Sequence, residues 1–160
     1  MIKPLVILAL LAVAAVMLYI RFTPSDPEEW HVDPRAVAKP DKPNHWLIRS
    51  VGGDAPALEY ALSAPDLAQV VDAVVLAQPR TRRIAGSVEA GHMTYLTRTP
   101  IMGYPDYVSV RVFATATGAS LAVFSRSRFG QSDLGTNRKR MEEWMAAIDA
   151  AVRDREAEDG

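Results

Sequence analysis

The sequence has no cysteine among its 160 residues. This absence excludes disulfide bonds, thiolate metal sites, a cysteine nucleophile and the acylated cysteine of a lipoprotein. The chain also lacks an excess of positive charge, because its formal net charge is −1. Proteins that bind nucleic acid usually carry a strong basic excess, so we expect no nucleic-acid partner.

Catalytic signatures are missing as well. His31, His45 and His92 do not have the spacing of metal ligands, and the chain contains no glycine-rich phosphate loop, nucleophile elbow or zinc-binding helix motif. Asp106 and Asp133 could form a carboxylate pair, but two aspartates among nineteen acidic residues are a weak signal. We therefore expect a protein that is not an enzyme, with no catalytic residue, no metal site and no cofactor.

The N-terminus carries a long apolar run. Lys3 and Arg21 bracket seventeen residues, 4–20, that include no charged side chain. At about 1.5 Å per residue this run is roughly 25 Å long, close to the bilayer core of about 30 Å, and the two flanking cations can reach the interfaces. A cleaved signal peptide is the alternative, but no small-x-small cleavage site follows the run. The sequence predicts a transmembrane anchor at residues 1–22.

The orientation of this anchor rests on comparing its basic flanks, with Lys3 and the amino terminus on one side and Arg21, soon followed by Asp26, Glu28 and Glu29, on the other. Lys3 and the amino terminus favour an N-terminus on the inside, because basic residues are retained on the cytoplasmic side. We therefore expect a single-pass protein of a bacterial inner membrane, with its soluble domain in the periplasm.

Residues 23–45 have the composition of a connector. Five of the eleven prolines lie here, and prolines at this density favour extended, semi-rigid chain over helix or sheet. Trp30 and His31 are unusual in a plain linker. We expect Trp30 to lie at the membrane interface or to pack on the domain, with a contact to a partner protein as the alternative.

Residues 46–152 show the periodicities of an α+β domain. Ser63, with Pro65 and Asp66, begins a helix that Pro79 ends. Alternation and turn residues predict strands at 46–51, 58–62, 84–88, 93–99, 107–114 and 121–129. A final helix has an apolar stripe of Leu134, Met141, Trp144, Met145, Ile148 and Val152. The expected fold is an antiparallel β-sheet packed against the C-terminal helix and one further helix, with a charged tail at 153–160 that frays.

Charge is segregated along the domain. Residues 76–140 contain ten basic and three acidic residues, whereas residues 141–160 contain two basic and seven acidic ones. Strand alternation places Arg126 and Arg128 on one face of the sheet. Two interpretations stay open. One is a solvated face whose arginines pair with Asp106, Asp133 and the acids of the last helix. The other is an anion site for lipid headgroups or for the acidic surface of a partner.

The passage from the last strand to the last helix carries a recognisable motif. Its residues are Ser125, Ser127, Arg128, Gly130, Asp133, Gly135, Asn137, Arg138 and Arg140. This pattern resembles the domain of unknown function 1499 family, and the resemblance extends over about residues 46–150. The chain departs from the family where it keeps only Asp106 of an acidic pair and has Phe124 in place of a frequent arginine. The resemblance implies a shared fold and implies no activity.

The motif defines the candidate binding cluster. Its members are Asp106, Arg126, Arg128, Asp133, Asn137, Arg138 and Arg140. They fit a rigid corner, in which the two glycines permit unusual backbone angles, Asp133 or Asn137 caps the helix, and Arg128 binds Asp106. They also fit the lining of a polar pocket.

Two functions agree with these observations. The first is an anchored interaction protein, an accessory subunit that docks on a larger membrane assembly. The alternative is a lipid- or amphiphile-binding module with a pocket between sheet and helix, which rests on fold analogy alone. The expected partners are the membrane itself and either a larger membrane-protein complex or anionic lipid.

Overall fold

The computed structural model describes residues 2–159, and this part of the chain forms four helices and six strands. The helices are α1 (Ile2–Phe22), α2 (Pro27–Trp30), α3 (Ala64–Leu76) and α4 (Thr136–Asp159). The strands are β1 (His45–Ile48), β2 (Glu59–Tyr60), β3 (Thr81–Ser87), β4 (His92–Arg98), β5 (Pro105–Ala114) and β6 (Ala119–Ser127). The predicted order of two strands, a helix, four strands and a helix is confirmed.

The six strands form one antiparallel sheet in the order β1-β6-β5-β4-β3, and β2 also pairs with β6. Strands β3 to β6 follow one another as a meander, because loops this short can join only antiparallel neighbours. The predicted α+β class, with an antiparallel sheet covered by the C-terminal helix and one further helix, is confirmed.

One face of the sheet packs against α3 and α4. Side-chain alternation along β5 and β6 turns Val108, Val110, Leu121 and Val123 towards the helices, where they join a single apolar core. The helices contribute Leu67, Val71, Val75, Met141, Trp144, Ile148 and Val152 to it. The alternative function in the sequence analysis requires an amphiphile pocket between sheet and helix. Core side chains fill that space.

Helix α3 begins as its sequence predicts. The side chain of Ser63 caps the helix by accepting a hydrogen bond of 3.3 Å from the backbone N–H of Asp66, and Pro65 lies in the first turn. A serine at this position satisfies a backbone donor that has no partner inside the helix.

The second face of the sheet is covered by the proline-rich residues 23–45, which we call the N-terminal segment, rather than by solvent. The Trp30 ring stacks on the Tyr107 ring with centroids 3.7 Å apart, and the His31 ring stacks on His92 at 3.8 Å. The His92 side chain also lies 3.1 Å from the carbonyl oxygen of Val32. The prediction that prolines exclude helix from this segment is wrong at Pro27–Trp30, which form helix α2, because a proline is tolerated in the first turn of a helix. The stacked rings attach the segment to the sheet.

The end of helix α1 is attached to the domain. Ile20 is only 6% exposed, and the Tyr19 ring meets the Phe129 ring edge-on at 6.2 Å. The remainder of α1 exposes leucine, valine and isoleucine side chains. By length and composition, α1 is a helix that could cross a membrane.

Two expectations about the C-terminal helix are wrong. Leu134 does not belong to the apolar stripe: it is 96% exposed and has a φ of 52° in the loop before α4. The chain there follows the left-handed turn that precedes the helix, and this turn points the side chain outwards. The segment from Arg153, expected to fray, is helical through Asp159.

Candidate functional site

The end of strand β6 divides the predicted cluster between the two faces of the sheet. Successive side chains of a strand point to opposite faces, so Ser125 and Ser127 face α4 while Arg126 faces the N-terminal segment. We call the group of Asp106, Asp133, Asn137 and Arg140 the helix-side cluster. We call the pair Arg126 and Arg128 the connector-side pair. The seven predicted residues are therefore not one site.

Asn137 is the centre of the helix-side cluster. It is fully buried, and its Oδ1 accepts hydrogen bonds from the Ser125 hydroxyl at 2.6 Å and from Nη1 of Arg140 at 2.9 Å. Its Nδ2 lies 2.9 Å from Oγ of Ser127 and 3.0 Å from the carbonyl oxygen of Asn44. One amide thus joins α4, β6 and the segment before β1.

Asp133 fixes the start of α4. Its Oδ2 accepts a hydrogen bond from the backbone N–H of Asn137 at 2.7 Å, and its Oδ1 accepts one from Gly135 at 3.1 Å. Gly135 and Gly130 have φ values of 81° and 89°, which glycine adopts without the strain other residues incur. The predicted cap by Asp133 and the predicted role of the two glycines are confirmed.

Asp106 pairs with Arg140 and not with Arg128. Nη2 of Arg140 lies 2.5 Å from Oδ2 of Asp106, and the two side chains are 12% and 2% exposed. Asp106 points to the helix face because it lies two residues before Val108, whereas Arg128 lies on the opposite face with Arg126. The predicted Arg128–Asp106 pair is therefore wrong.

Arg126 is buried beneath the N-terminal segment. Its Nη2 donates a hydrogen bond of 2.5 Å to the carbonyl oxygen of Trp30, and its guanidinium carbon lies 4.6 Å from the Phe124 ring centroid and 5.3 Å from that of Trp30. Burial lowers the pKa of Arg126 to about 10. The expectation that this arginine lies on a solvated sheet face is wrong, because aromatic rings and a carbonyl group enclose it.

Arg128 attaches the chain that follows α1. Its Nη1 donates a hydrogen bond of 2.6 Å to the carbonyl oxygen of Pro24 and lies 3.4 Å from the Tyr107 hydroxyl. Its guanidinium carbon is 5.8 Å from the Trp30 ring centroid. The connector-side pair therefore holds the N-terminal segment on the sheet.

Arg138 stands apart from both groups. Its side chain is 61% exposed, forms an ion pair of 2.7 Å with Glu142 one turn further along α4, and lies over the Trp46 ring. This surface pair contributes little to stability.

The helix-side cluster borders the junction with α1. Asp106, Asp133 and Ser127 line an open surface depression of about 370 Å³, and Ile20 and Tyr104 line its other side. One wall of the depression is apolar and the other is polar. Because the polar groups at its base are already bonded to one another, few of their atoms are free to bind a ligand.

Sequence reasoning expected Trp30 to pack on the domain or to lie at the membrane interface, and its stacking on Tyr107 agrees with packing on the domain. It did not place Trp30 beside the candidate arginines, and it missed Asn44. Trp30 is the sole tryptophan within the proline-rich segment, and that composition was the available signal. Asn44 gives no local signal, because its carbonyl oxygen accepts a hydrogen bond from Asn137, which is 93 residues further along the chain. In the part of the chain that the structure describes, no group of three or more His, Asp or Glu side chains is arranged to hold a metal ion.

The chain is a small α+β domain that follows an apolar helix. Two helices pack on one face of its antiparallel sheet, the N-terminal segment covers the other face, and Asn137 holds the corner between β6 and α4. The sequence model of the family described as "Protein of unknown function (DUF1499)" matches residues 23–148. The match covers most of the chain, and the chain belongs to this family, as the motif predicts. It begins at Thr23 and thus includes the N-terminal segment that covers the sheet.

The chain is similar to several solved structures. The crystal structure of protein MLL2253 from Mesorhizobium loti has 9% sequence identity and a TM-score of 0.46, with 69% of this chain and 97% of that chain covered. No curated protein matches the chain.

Proposed function

We propose that the protein is a single-pass protein of a bacterial inner membrane whose periplasmic domain acts by binding, as an accessory subunit of a larger membrane assembly, and not by catalysis. The domain lies directly at the membrane surface, because no free spacer separates it from the anchor.

The observation that carries this proposal is the form of helix α1. Its twenty-one residues are about 30 Å long, and its apolar side chains are exposed along almost its entire length. An exposed apolar surface of this size is costly in water and favourable in a bilayer. Its C-terminal half meets the domain, where Tyr19 and Ile20 pack on it and Leu18 lies beside the loop before β5.

The candidate cluster argues against catalysis by its own side chains. A catalytic group has to reach a substrate, yet the amide of Asn137 is fully buried and Asp106 is already paired with Arg140. Asp133 is engaged in capping α4. These side chains satisfy one another and hold the corner between β6 and α4 rigid.

Two measurements test the proposal. Washing membranes with alkaline carbonate leaves an integral protein in the pellet and releases a peripheral one. We expect the full chain to remain, and we expect Leu11→Arg, which places a charge in the middle of the apolar run, to increase its release. Val51→Arg is the matched control, because Val51 is exposed on the soluble domain. Release of the unaltered chain by carbonate would contradict the anchor.

The second measurement addresses the partner and the orientation. Purification in a mild detergent should recover another membrane protein in constant ratio, and external protease should digest the domain in spheroplasts but not in intact cells. Recovery of a lone monomer would argue against an accessory subunit. Protection of the domain in spheroplasts would place it in the cytoplasm and contradict the orientation.

A further inference from the structure

A cleft rich in arginine lies where the last turn of α1 meets the edge of the sheet. It is open, has a volume of about 490 Å³, and has the buried side chain of Leu96 in its lining. Its four cations, which define what we call the arginine cleft, are Arg21, Arg80, Arg82 and Arg98. The neutral residues around them include Phe22, Thr81, Thr99 and Gly103.

Strand register brings these arginines together. Arg82 pairs with Leu96 across β3 and β4, so both side chains lie on the same face, and Arg98 follows on that face two residues later. Nη1 of Arg98 donates a hydrogen bond of 2.7 Å to the carbonyl oxygen of Gly103. The Arg21 side chain lies against the same glycine, where an added Cβ would be 3.3 Å from its Nη1.

Arg80 reaches the cleft through an unusual backbone angle. Its φ is 57°, a left-handed conformation that is uncommon for residues other than glycine. Its carbonyl oxygen accepts a hydrogen bond of 3.2 Å from the backbone N–H of Arg98, and its Nε donates one of 3.1 Å to the carbonyl oxygen of Arg98. The two arginines are therefore fixed to each other at the rim.

Within residues 3–157, the charge of the arginine cleft is not balanced by any ion pair. None of the carboxylates in this range pairs with any of the four arginines. Arg83, the next residue along β3, points to the other face and pairs with Asp72 at 2.9 Å. Burial lowers the pKa of Arg98 below its ordinary value, and the charges of Arg82 and Arg21 act in the same direction.

The loop between β4 and β5 shows where this cleft lies relative to the anchor. Ile101 is 84% exposed, and together with Met102 it lines an apolar cleft with Ala14 and Leu18 of helix α1. These helix positions lie about 6 to 12 Å before Phe22 along the helix axis. If α1 spans the membrane, the tip of this loop lies among the acyl chains, and the arginine cleft lies at the level of the headgroups.

We propose that the arginine cleft binds the phosphodiester headgroup of an anionic glycerophospholipid in the leaflet that the domain faces. This inference rests on the proposed membrane anchor. Guanidinium groups bind phosphate oxygens with paired hydrogen bonds, and four of them without a counter-charge favour an anion over a zwitterion. The exposed apolar loop beside the cleft favours a lipid as the source of the phosphate.

The test uses the full chain purified in a neutral detergent. Native mass spectrometry measures its affinity for dioleoyl phosphatidylglycerol and for dioleoyl phosphatidylcholine, and inorganic phosphate serves as a competitor. We expect phosphatidylglycerol to bind at least tenfold more tightly than phosphatidylcholine, and we expect millimolar phosphate to displace little of it. Equal affinity for the two lipids would overturn the proposal. Full displacement by millimolar phosphate would also overturn it, because the site would then take a free anion.

Matched variants locate the site. Arg82→Gln with Arg98→Gln should abolish the preference for phosphatidylglycerol. Arg138→Gln with Arg153→Gln removes the same net charge from exposed positions on α4 and should leave the preference within twofold. Equal losses in the two double variants would show that net charge alone attracts the lipid.

Folding and anchoring are controlled separately. Arg82→Gln alone changes an exposed edge-strand residue and should lower the preference at least severalfold while the circular dichroism spectrum stays unchanged. If the chain resists carbonate extraction but shows no lipid preference, the arginine-cleft proposal fails and the anchor stands. If carbonate releases the chain, the anchor fails first.

Discussion

Replacing Asn137 by alanine tests whether the motif before and within α4 is a structural corner. The amide contacts Ser125, Ser127, Asp133 and Arg140, as well as the carbonyl oxygen of Asn44. Most of these groups keep another partner without it: Asp133 still accepts from Gly135, and Arg140 still binds Asp106. Without the amide, the Ser125 hydroxyl loses the acceptor of its hydrogen bond, and the Ser127 hydroxyl loses the donor of the one that it accepts.

The magnitude follows mainly from the Ser125 hydroxyl. Ser125 is fully buried, and a buried polar group left without its partner costs about 1–3 kcal/mol. Ser127 is only half-buried and lines the open depression, so water can replace the donor that it loses. We therefore expect a loss of about 2 kcal/mol in the free energy of unfolding. For a chain of this size each kcal/mol lowers the melting temperature by about 2–4 °C, so we expect a decrease of about 6 °C.

Urea unfolding of the detergent-solubilised chain, followed by circular dichroism and tryptophan fluorescence, measures this loss. Gln131→Ala is the matched control, because it removes an exposed amide from the loop before α4 and should change the free energy of unfolding by less than about 0.5 kcal/mol. If Asn137→Ala is as stable as that control, the network does not hold the corner. A stable variant that had lost its membrane partner would instead favour the polar pocket.

Three further predictions address the covered face and the membrane surface. Trp30→Ala should lower the free energy of unfolding in urea by about 3 kcal/mol, because it removes the ring stacked on the sheet; an unchanged value would mean that the segment is not docked. Burial and the charge of His92 lower the pKa of His31 below its ordinary 6.5, so the unfolded chain takes up the proton first and the melting temperature should fall as pH drops below about 6.5. His31→Gln should flatten that fall, and an equal pH dependence in the variant would contradict it. Because the chain has no cysteine, Ile101→Cys and Val51→Cys can each carry one environment-sensitive fluorophore. In lipid nanodiscs only the label at 101 should shift to the blue, and equal emission from both would place the loop in water.

The elements that local sequence determines were predictable. The alternation of Val108, Val110 and Val112 identifies a strand with one buried face, and these residues do lie in the core. Ser63 and Asp133 predict where α3 and α4 begin, because a capping side chain bonds to backbone groups within three or four residues of its own position. Leu134 shows the limit of periodicity, since an apolar residue in phase with a helix stripe lies outside the helix when a left-handed turn intervenes.

The covered second face could not be predicted from local pattern. Ser109 and Arg111 alternate with valines and read as a solvent-facing set. In the folded chain the Ser109 hydroxyl instead donates a hydrogen bond of 3.1 Å to the carbonyl oxygen of Trp30, 79 residues earlier. Prolines show that a segment is extended, but they do not show which surface it lies on. The surface on which the segment lies depends on ring stacking between residues that are far apart in the sequence.

The same distinction separates the two polar regions of the domain. The helix-side cluster was recognisable as a motif, yet its side chains bond mainly to one another and to nearby backbone, so their chemistry is used in holding β6 against α4. The arginine cleft had no motif, because Arg21, Arg82 and Arg98 come from three separate elements. The excess of basic residues between 76 and 140 indicated unbalanced charge without giving its place. Among the side chains of residues 3–157, no carboxylate pairs with the arginines of the cleft. The cleft lies beside the end of the only helix in the described chain that could cross a membrane, which is where an anionic headgroup could supply the counter-charge.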